Sequence, residues 1–232
     1  NKEIIKNSTV FIPVDSEHFS IWSLLNNEKN DQIDEVIITA SGGPFLNYPI
    51  KKFNNITPSM AIKHPNWSMG KKISIDSATL MNKVFEIIEA QRIFNIKINK
   101  FKIMIHPDSY IHAIIKFKNG LIKLLAHETS MSIPIYNSLH ANQDKISLKT
   151  KKIDYSLLNN LNFKKPDNRK FPSTKILRNI KNSCTLYETA VVSANDQLVS
   201  LFLQKKIKFI DINRYLIKIL NDKQIILLKK KK

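Results

Sequence analysis

One cysteine, four glycines and no long apolar run are the scarcities that bound this chain of 232 residues. The lone Cys184 excludes an internal disulfide framework and fits a reducing compartment, or simply a protein that does not use thiols; the expected location is cytoplasmic. No apolar stretch is long enough to cross a bilayer and no signal peptide opens the chain, so neither a membrane protein nor a membrane partner is expected. Acidic residues are also short: 19 Asp and Glu stand against 37 Lys and Arg, a formal net charge of +18. Such a charge suits an anionic substrate. It does not by itself make a nucleic-acid binder, because the lysines are spread along the chain beside many Asn and Ile, and no basic cluster is interleaved with aromatics. Only Lys229 to Lys232 forms a run, which reads as a solvated tail. The chain begins with Asn rather than Met and is expected to be an excerpt of something longer.

What is present centres on residues 64–90, HPNWSMGKKISIDSATLMNKVFEIIEA. The second half predicts a helix over 77–94, capped by Ser77 or Asp76, with Leu80, Val84, Ile87 and Ile88 as its buried stripe. Asn82, Lys83, Glu86 and Glu89 share the opposite face at spacings of three and four. A helix N-terminus carrying a hydroxyl, an amide and a lysine is an anion site, and a carboxylate one turn on can hold a metal. A solvated helix face explains the same residues. In the first half, Trp67 on a turn-rich segment reads either as a lid closing over substrate or as surface packing.

Upstream, 9–14 (TVFIPV) reads as a buried strand delivering Asp15-Ser16-Glu17-His18 at its C-terminal end. Residues two apart on extended chain point the same way, so Asp15 and Glu17 offer two hard oxygen ligands suited to Mg²⁺ or Mn²⁺. A helix N-cap followed by first-turn acids is the competing explanation. A second strand, 35–39, runs into Ser41-Gly42-Gly43, where half of the glycines in the chain stand together. Such a turn brings backbone N–H groups and a hydroxyl to an oxyanion, or is a plain loop. Thr57-Pro58 starts a short helix. Strands follow at 101–106, 111–117 and 121–127, the last two joined at Asn119-Gly120 as a hairpin. His106 and His112 receive no role from spacing alone. Residues 141–167 read as a linker, and helices at 173–182, 186–204 and 211–220 as a separate small helical unit. The expected fold is α/β (α+β): a mixed or antiparallel sheet with packed helices over residues 1–140, then the linker, then a C-terminal helical domain over 168–232. Leu80, Val84 and Ile88 are expected to seat the central helix on the sheet.

Taken together, PVDSEH at 13–18, SGGPF at 41–45, HPNWSMG at 64–70, DSATLMNK at 76–83 with Glu86, HPDSYIH at 106–112 and SAND at 193–196 resemble 1-deoxy-D-xylulose 5-phosphate reductoisomerases. The resemblance implies conversion of 1-deoxy-D-xylulose 5-phosphate to 2-C-methyl-D-erythritol 4-phosphate in the non-mevalonate isoprenoid pathway, with NADPH and a divalent metal, by a homodimer. It implies Asp15, Glu17 and Glu86 as metal ligands, with Glu17, Glu86 and Lys83 carrying the catalysis. Ser16, Glu17, Ser41, His64, Ser77, Asn82, Lys83 and Glu86 would contact the phosphosugar, Trp67 and Met69 would lie on a mobile lid, and Asn1, Lys2, Glu3 and Gly70 would stand beside the cofactor. It also implies that the amino-terminal NADPH-binding domain is missing, so that the excerpt alone binds the phosphate without reducing the substrate. The segment HETSM stands where the family has a Gly-Glu-Pro-Asp-Met-like run. The competing reading is a non-catalytic remnant that binds phosphosugar and metal without turnover.

Overall fold

A computed structural model of the chain describes residues 6–7, 9–26, 28–141, 147–150 and 152–231. Its scaffold is a four-stranded sheet in the order β2-β1-β3-β4, built from β1 Ile33–Ala40, β2 Phe101–Ile105, β3 Ile111–Phe117 and β4 Ile122–Ala126. β1 pairs parallel with β2 and antiparallel with β3, and β3 pairs antiparallel with β4, so the sheet is mixed as expected. The β3–β4 hairpin turns at Asn119-Gly120, where Gly120 takes φ +90°, a conformation other residues reach only with strain. β1 is central and its Val36 and Ile38 are fully buried, each contributing about 2 kcal/mol by removal from water.

The segment 9–14 is not a strand. Val10, Phe11 and Val14 are 74%, 49% and 47% exposed, and no described strand lies alongside to satisfy their backbone. Apolar composition alone does not make a strand without a neighbouring edge to pair with. Asp15 instead caps α1 (Ser16–Leu24), its Oδ1 accepting from the N–H groups of Glu17 and His18 at 3.1 and 3.2 Å. The capping explanation therefore describes the local backbone, and the extended-chain argument for Asp15 and Glu17 does not.

Next along the chain, α2 (Pro58–Ala61) starts from the Thr57 cap with Pro58 at its first position. The helix expected over 77–94 is two helices. α3 (Lys71–Thr79) begins at Gly70, and α4 (Met81–Phe94) begins after Leu80, whose φ of +58° is left-handed. Ser77 thus lies in the last turn of one helix rather than capping another. Hydrophobic periodicity continues across Leu80, so the break is invisible to a spacing argument. α4 is buried on both sides. Leu80, Ile87 and Ala90 pack with Ile38, Ile103 and Ile115 of the sheet, whereas Val84 and Ile88, expected on the sheet, turn into a second cluster.

That second cluster joins Phe45, Phe53, Ile75 and Met81 to the C-terminal segments. Those are a 3₁₀ stretch Pro172–Asn179 where an α-helix was expected, then α7 (Leu186–Leu203) and α8 (Phe209–Leu220). Along the chain, α5 (Ser132–Leu139) and α6 (Tyr155–Asn159) come after β4 and before the 3₁₀ stretch, and α9 (Lys223–Leu227) follows α8. The C-terminal helices share their core with α3 and α4 instead of enclosing one of their own, and Lys164, within the expected linker, bridges to Ile105 at the end of β2.

Candidate active site

The sheet, α1 and the break between α3 and α4 surround a cavity of about 300 Å³ whose walls hold Asp15, Ser16, Glu17, Ser41, His64, Trp67, Met69, Ser77, Asn82, Lys83 and Glu86. Residues distant in sequence are thereby collected in one place. Asn1, Lys2 and Glu3 lie outside the described residues. Gly70 is exposed at the start of α3 with no atom within 4 Å of the position a Cβ would take, and it does not line the cavity.

At one end three carboxylates converge. Asp15, Glu17 and Glu86 each offer an oxygen, all within 4.8 Å of one another. Glu17 and Glu86 are buried, while Asp15 sits at the rim with 45% of its side chain exposed. Lys83 is buried beside them, its Nζ bonded to Glu17 and to both oxygens of Glu86 at 2.8 Å. Ser16 donates to Glu17 and Asn82 donates to Glu86. The Lys83 ammonium, expected at the phosphate, is thus directed to the carboxylates.

Burial penalises the charged form of each of these groups, and the neighbours decide the outcome. For Glu17, burial is the largest influence and raises the carboxyl, but the Lys83 ammonium, His112 and the hydrogen bonds from Lys83 and Ser16 together bring the pKa down to about 2. For Glu86, burial and the negative charge of Glu17 push the carboxyl well above its usual range despite Lys83. Lys83, disfavoured by burial, is held charged by Glu17 and Glu86. One ammonium therefore leaves three clustered carboxylates under-compensated. A hard divalent cation fits this all-oxygen set; zinc would favour nitrogen or sulfur donors.

At the other end, hydrogen bonds orient a hydroxyl. His64 Nδ1 accepts from the backbone N–H groups of Asn66 and Trp67 at 3.1 and 3.0 Å, so this nitrogen carries no proton. Burial and the nearby Lys83 lower the ring's pKa to about 4, keeping it neutral with its proton on Nε2. Nε2–H then donates to Ser41 Oγ at 3.0 Å, and the Gly43 N–H donates to the same oxygen at 3.1 Å. With both acceptor positions used, the Ser41 hydroxyl proton is available to an anionic oxygen in the cavity. The turn that presents it needs glycine: Gly42 and Gly43 have φ of +84° and +64°, and a Cβ on Gly43 would lie 3.0 Å from Ala78 Cα.

Trp67 closes one side, its ring edge-on to His112 with centroids 6.2 Å apart. His112 stacks in turn on His127 with centroids 3.7 Å apart. His112, Thr39, Ser109 and Met131 also line the cavity and received no role from the sequence. The signal for His112 was its place in a strand whose Ala113 and Ile115 are buried in the sheet core, so that its neighbour 112 turns to the other face.

The family model described as the 1-deoxy-D-xylulose 5-phosphate reductoisomerase C-terminal domain matches residues 11–94, and one described as the DXP reductoisomerase C-terminal domain matches 127–231. The chain belongs to the 1-deoxy-D-xylulose 5-phosphate reductoisomerase family. A protein of that name from Pelagibacter ubique (strain HTCC1062) is 62% identical over 220 residues, covering 95% of this chain and 56% of the relative. A reductoisomerase from Sulfurihydrogenibium sp. (strain YO3AOP1) is 40% identical over 209 residues, covering 90% of this chain and 56% of its own length. The chain therefore spans little more than half the length of these curated relatives. Among solved structures, the Zymomonas mobilis reductoisomerase in complex with NADPH superposes with a TM-score of 0.84 at 32% identity, over 99% of this chain and 61% of that one. A DOX-P reductoisomerase in complex with magnesium superposes with a TM-score of 0.86 at 31% identity, over 100% of this chain and 58% of that one.

Proposed function

We propose that this chain is the metal- and substrate-binding part of a reductoisomerase that converts 1-deoxy-D-xylulose 5-phosphate to 2-C-methyl-D-erythritol 4-phosphate in the non-mevalonate pathway. Residues 1–140 carry the chemistry, 141–167 connect, and 168–232 form the C-terminal helical part. One observation carries the reading: Asp15, Glu17 and Glu86 meet within 4.8 Å in the cavity that also presents the Ser41 hydroxyl. The relatives' names and the NADPH and magnesium in the neighbouring structures support it.

In this reading Asp15, Glu17 and Glu86 hold a divalent ion, and Ser16, Asn82 and Lys83 orient the carboxylates by the bonds described above. A bound ion supplies Lewis-acid polarisation of an α-hydroxy ketone, and NADPH supplies the hydride. Ser41, set by His64, and Ser77 with Asn82 receive the phosphate, so that binding energy at the far end of the substrate aligns the reacting end. Trp67 and Met69 cover the cavity and exclude water. Gly70, at the exposed start of α3, and Asn1, Lys2 and Glu3 are the cofactor-side residues of this reading. A cytoplasmic homodimer completes it, with the apolar surface of β4 (Ile122 62% and Leu124 45% exposed) as the support for a second copy.

Titration of the chain with Mn²⁺ tests the proposal. The wild type is expected to bind one ion, and Glu86→Gln, which removes a direct ligand, to weaken that binding by at least about a hundredfold, the upper end of what losing a residue that only supports a ligand does. An intact fold with no Mn²⁺ binding, or equal binding by both proteins, sinks the site.

A further inference from the structure

Ser77 lies on α3 and Asn82 on α4, so their separation depends on the backbone at Thr79, Leu80 and Met81. The left-handed conformation of Leu80 is one that an L residue adopts at a cost of about 1–2 kcal/mol. Locally, the Leu80 N–H donating to the Ser77 carbonyl at 3.1 Å and the Met81 N–H donating to Thr79 Oγ1 at 3.4 Å brace it. Two groups from far along the chain hold it. Ser173 Oγ donates to the Thr79 carbonyl at 2.5 Å, and Asn195 Nδ2 donates to Asp76 Oδ1 at 2.8 Å. Both side chains are completely buried. The second Asp76 oxygen takes Lys72 Nζ at 2.7 Å, and the same ammonium reaches Asp196 at 2.9 Å. Asn195 Oδ1 has no partner among the described residues. Turning the amide over would set that oxygen against the Asp76 carboxylate, so the donor orientation is forced. Neither Ser173 nor Asn195 lines the cavity.

We infer that Ser173 and Asn195 are positioning residues for the anion-binding end of the cavity. Through Thr79 and Asp76 they fix the break between the helices and so the distance from Ser77 to Asn82. The C-terminal segment is thereby a working part of the site, although it contributes no atom to the cavity wall. The inference rests on the reading that Ser41, Ser77 and Asn82 receive phosphate. The carboxylate end shares Asn82, whose amide donates to Glu86, but it has anchors of its own: Lys83 bonds Glu17 and Glu86, and His18 Nε2 donates to the Glu86 carbonyl at 2.8 Å, nearly two turns beyond the break.

The two ends can therefore be uncoupled by mutation. Binding of inorganic phosphate and of Mn²⁺ to the full chain is measured calorimetrically for the wild type, Ser173→Ala and Asn195→Leu. Each variant is expected to weaken phosphate about fivefold, the effect of losing one buried hydrogen bond, while Mn²⁺ affinity stays within about twofold. Folded variants with unchanged phosphate affinity overturn the inference. Equal weakening of phosphate and Mn²⁺ also overturns it, since general loosening would act on both ends. Should Asn195→Leu fail to fold, Ser173→Ala, which deletes a single oxygen, decides alone. Ser41→Ala and Ser77→Ala serve as controls on the underlying reading: if neither weakens phosphate, the anion site is elsewhere and the inference falls with it.

Discussion

Helices α4 and α8 both bury a long face, yet they bury different things. In α8 the buried residues include Phe209, Ile212, Leu216 and Leu220, at the three- and four-residue spacing of an amphipathic helix. In α4 the buried set includes Val84, Ile87 and Ile88 but also Lys83, Glu86 and Gln91. Apolar burial on α8 is stabilising in itself. Burial of Lys83 and Glu86 costs several kcal/mol of desolvation that their mutual attraction only partly offsets. A fold retains such a cluster where the charges do something besides holding it together, and α4 is the helix that enters the cavity.

The comparison is tested most severely at Lys83. Lys83→Met leaves Glu17 and Glu86 without their cation and is expected to destabilise the metal-free protein by about 3–5 kcal/mol in urea unfolding. Saturating Mn²⁺ should recover much of that loss, because an ion bound only by the folded state stabilises it by mass action. No loss without metal would mean that the cluster is not electrostatically linked as described.

Leu216→Ala on α8 provides the contrast. It opens a void in the second cluster and is expected to cost about 2–5 kcal/mol, with the gap to wild type unchanged by Mn²⁺. Rescue of this variant by metal as complete as that of Lys83→Met would erase the distinction between the helices.

A smaller effect sharpens the picture through pH. Burial lowers the pKa of His112 from 6.5 to about 4. The unfolded chain therefore binds a proton between these values that the folded chain refuses, and stability falls as pH drops through this window. The full contribution is about 3 kcal/mol below pH 4, about 2 kcal/mol at pH 5, and none above the unfolded value. His112→Asn should flatten that part of the wild-type stability profile between pH 6.5 and 4. An identical profile for both proteins would show that His112 is not held neutral by the cavity wall.

Much of the scaffold was legible because it rests on local signals. The Asn119-Gly120 hairpin, the Thr57-Pro58 helix start and the strands expected at 35–39 and 101–106, found at Ile33–Ala40 and Phe101–Ile105, follow from turn chemistry and apolar runs. The strand assigned to 9–14 failed because a strand is stabilised by its neighbour, and composition does not say whether one is there. The single helix assigned to 77–94 failed at Leu80 for a related reason: a left-handed leucine has no local signature, and ties from Ser173 and Asn195 hold it.

The candidate site divides along the same line. By itself the sequence determined the donor types, since Asp15, Glu17 and Glu86 can only be oxygen ligands and Gly42-Gly43 permits a turn closed to other residues. Only the tertiary structure decided that the carboxylates meet, that His64 spends its proton on Ser41, and that Lys83 turns to Glu17 and Glu86. Residue types follow from covalent chemistry, which is local. Distances between side chains separated by tens of residues, such as the 69 positions between Glu17 and Glu86, are set by how two buried faces of α4 share the sheet and the C-terminal helices, and no segment of chain contains that information alone.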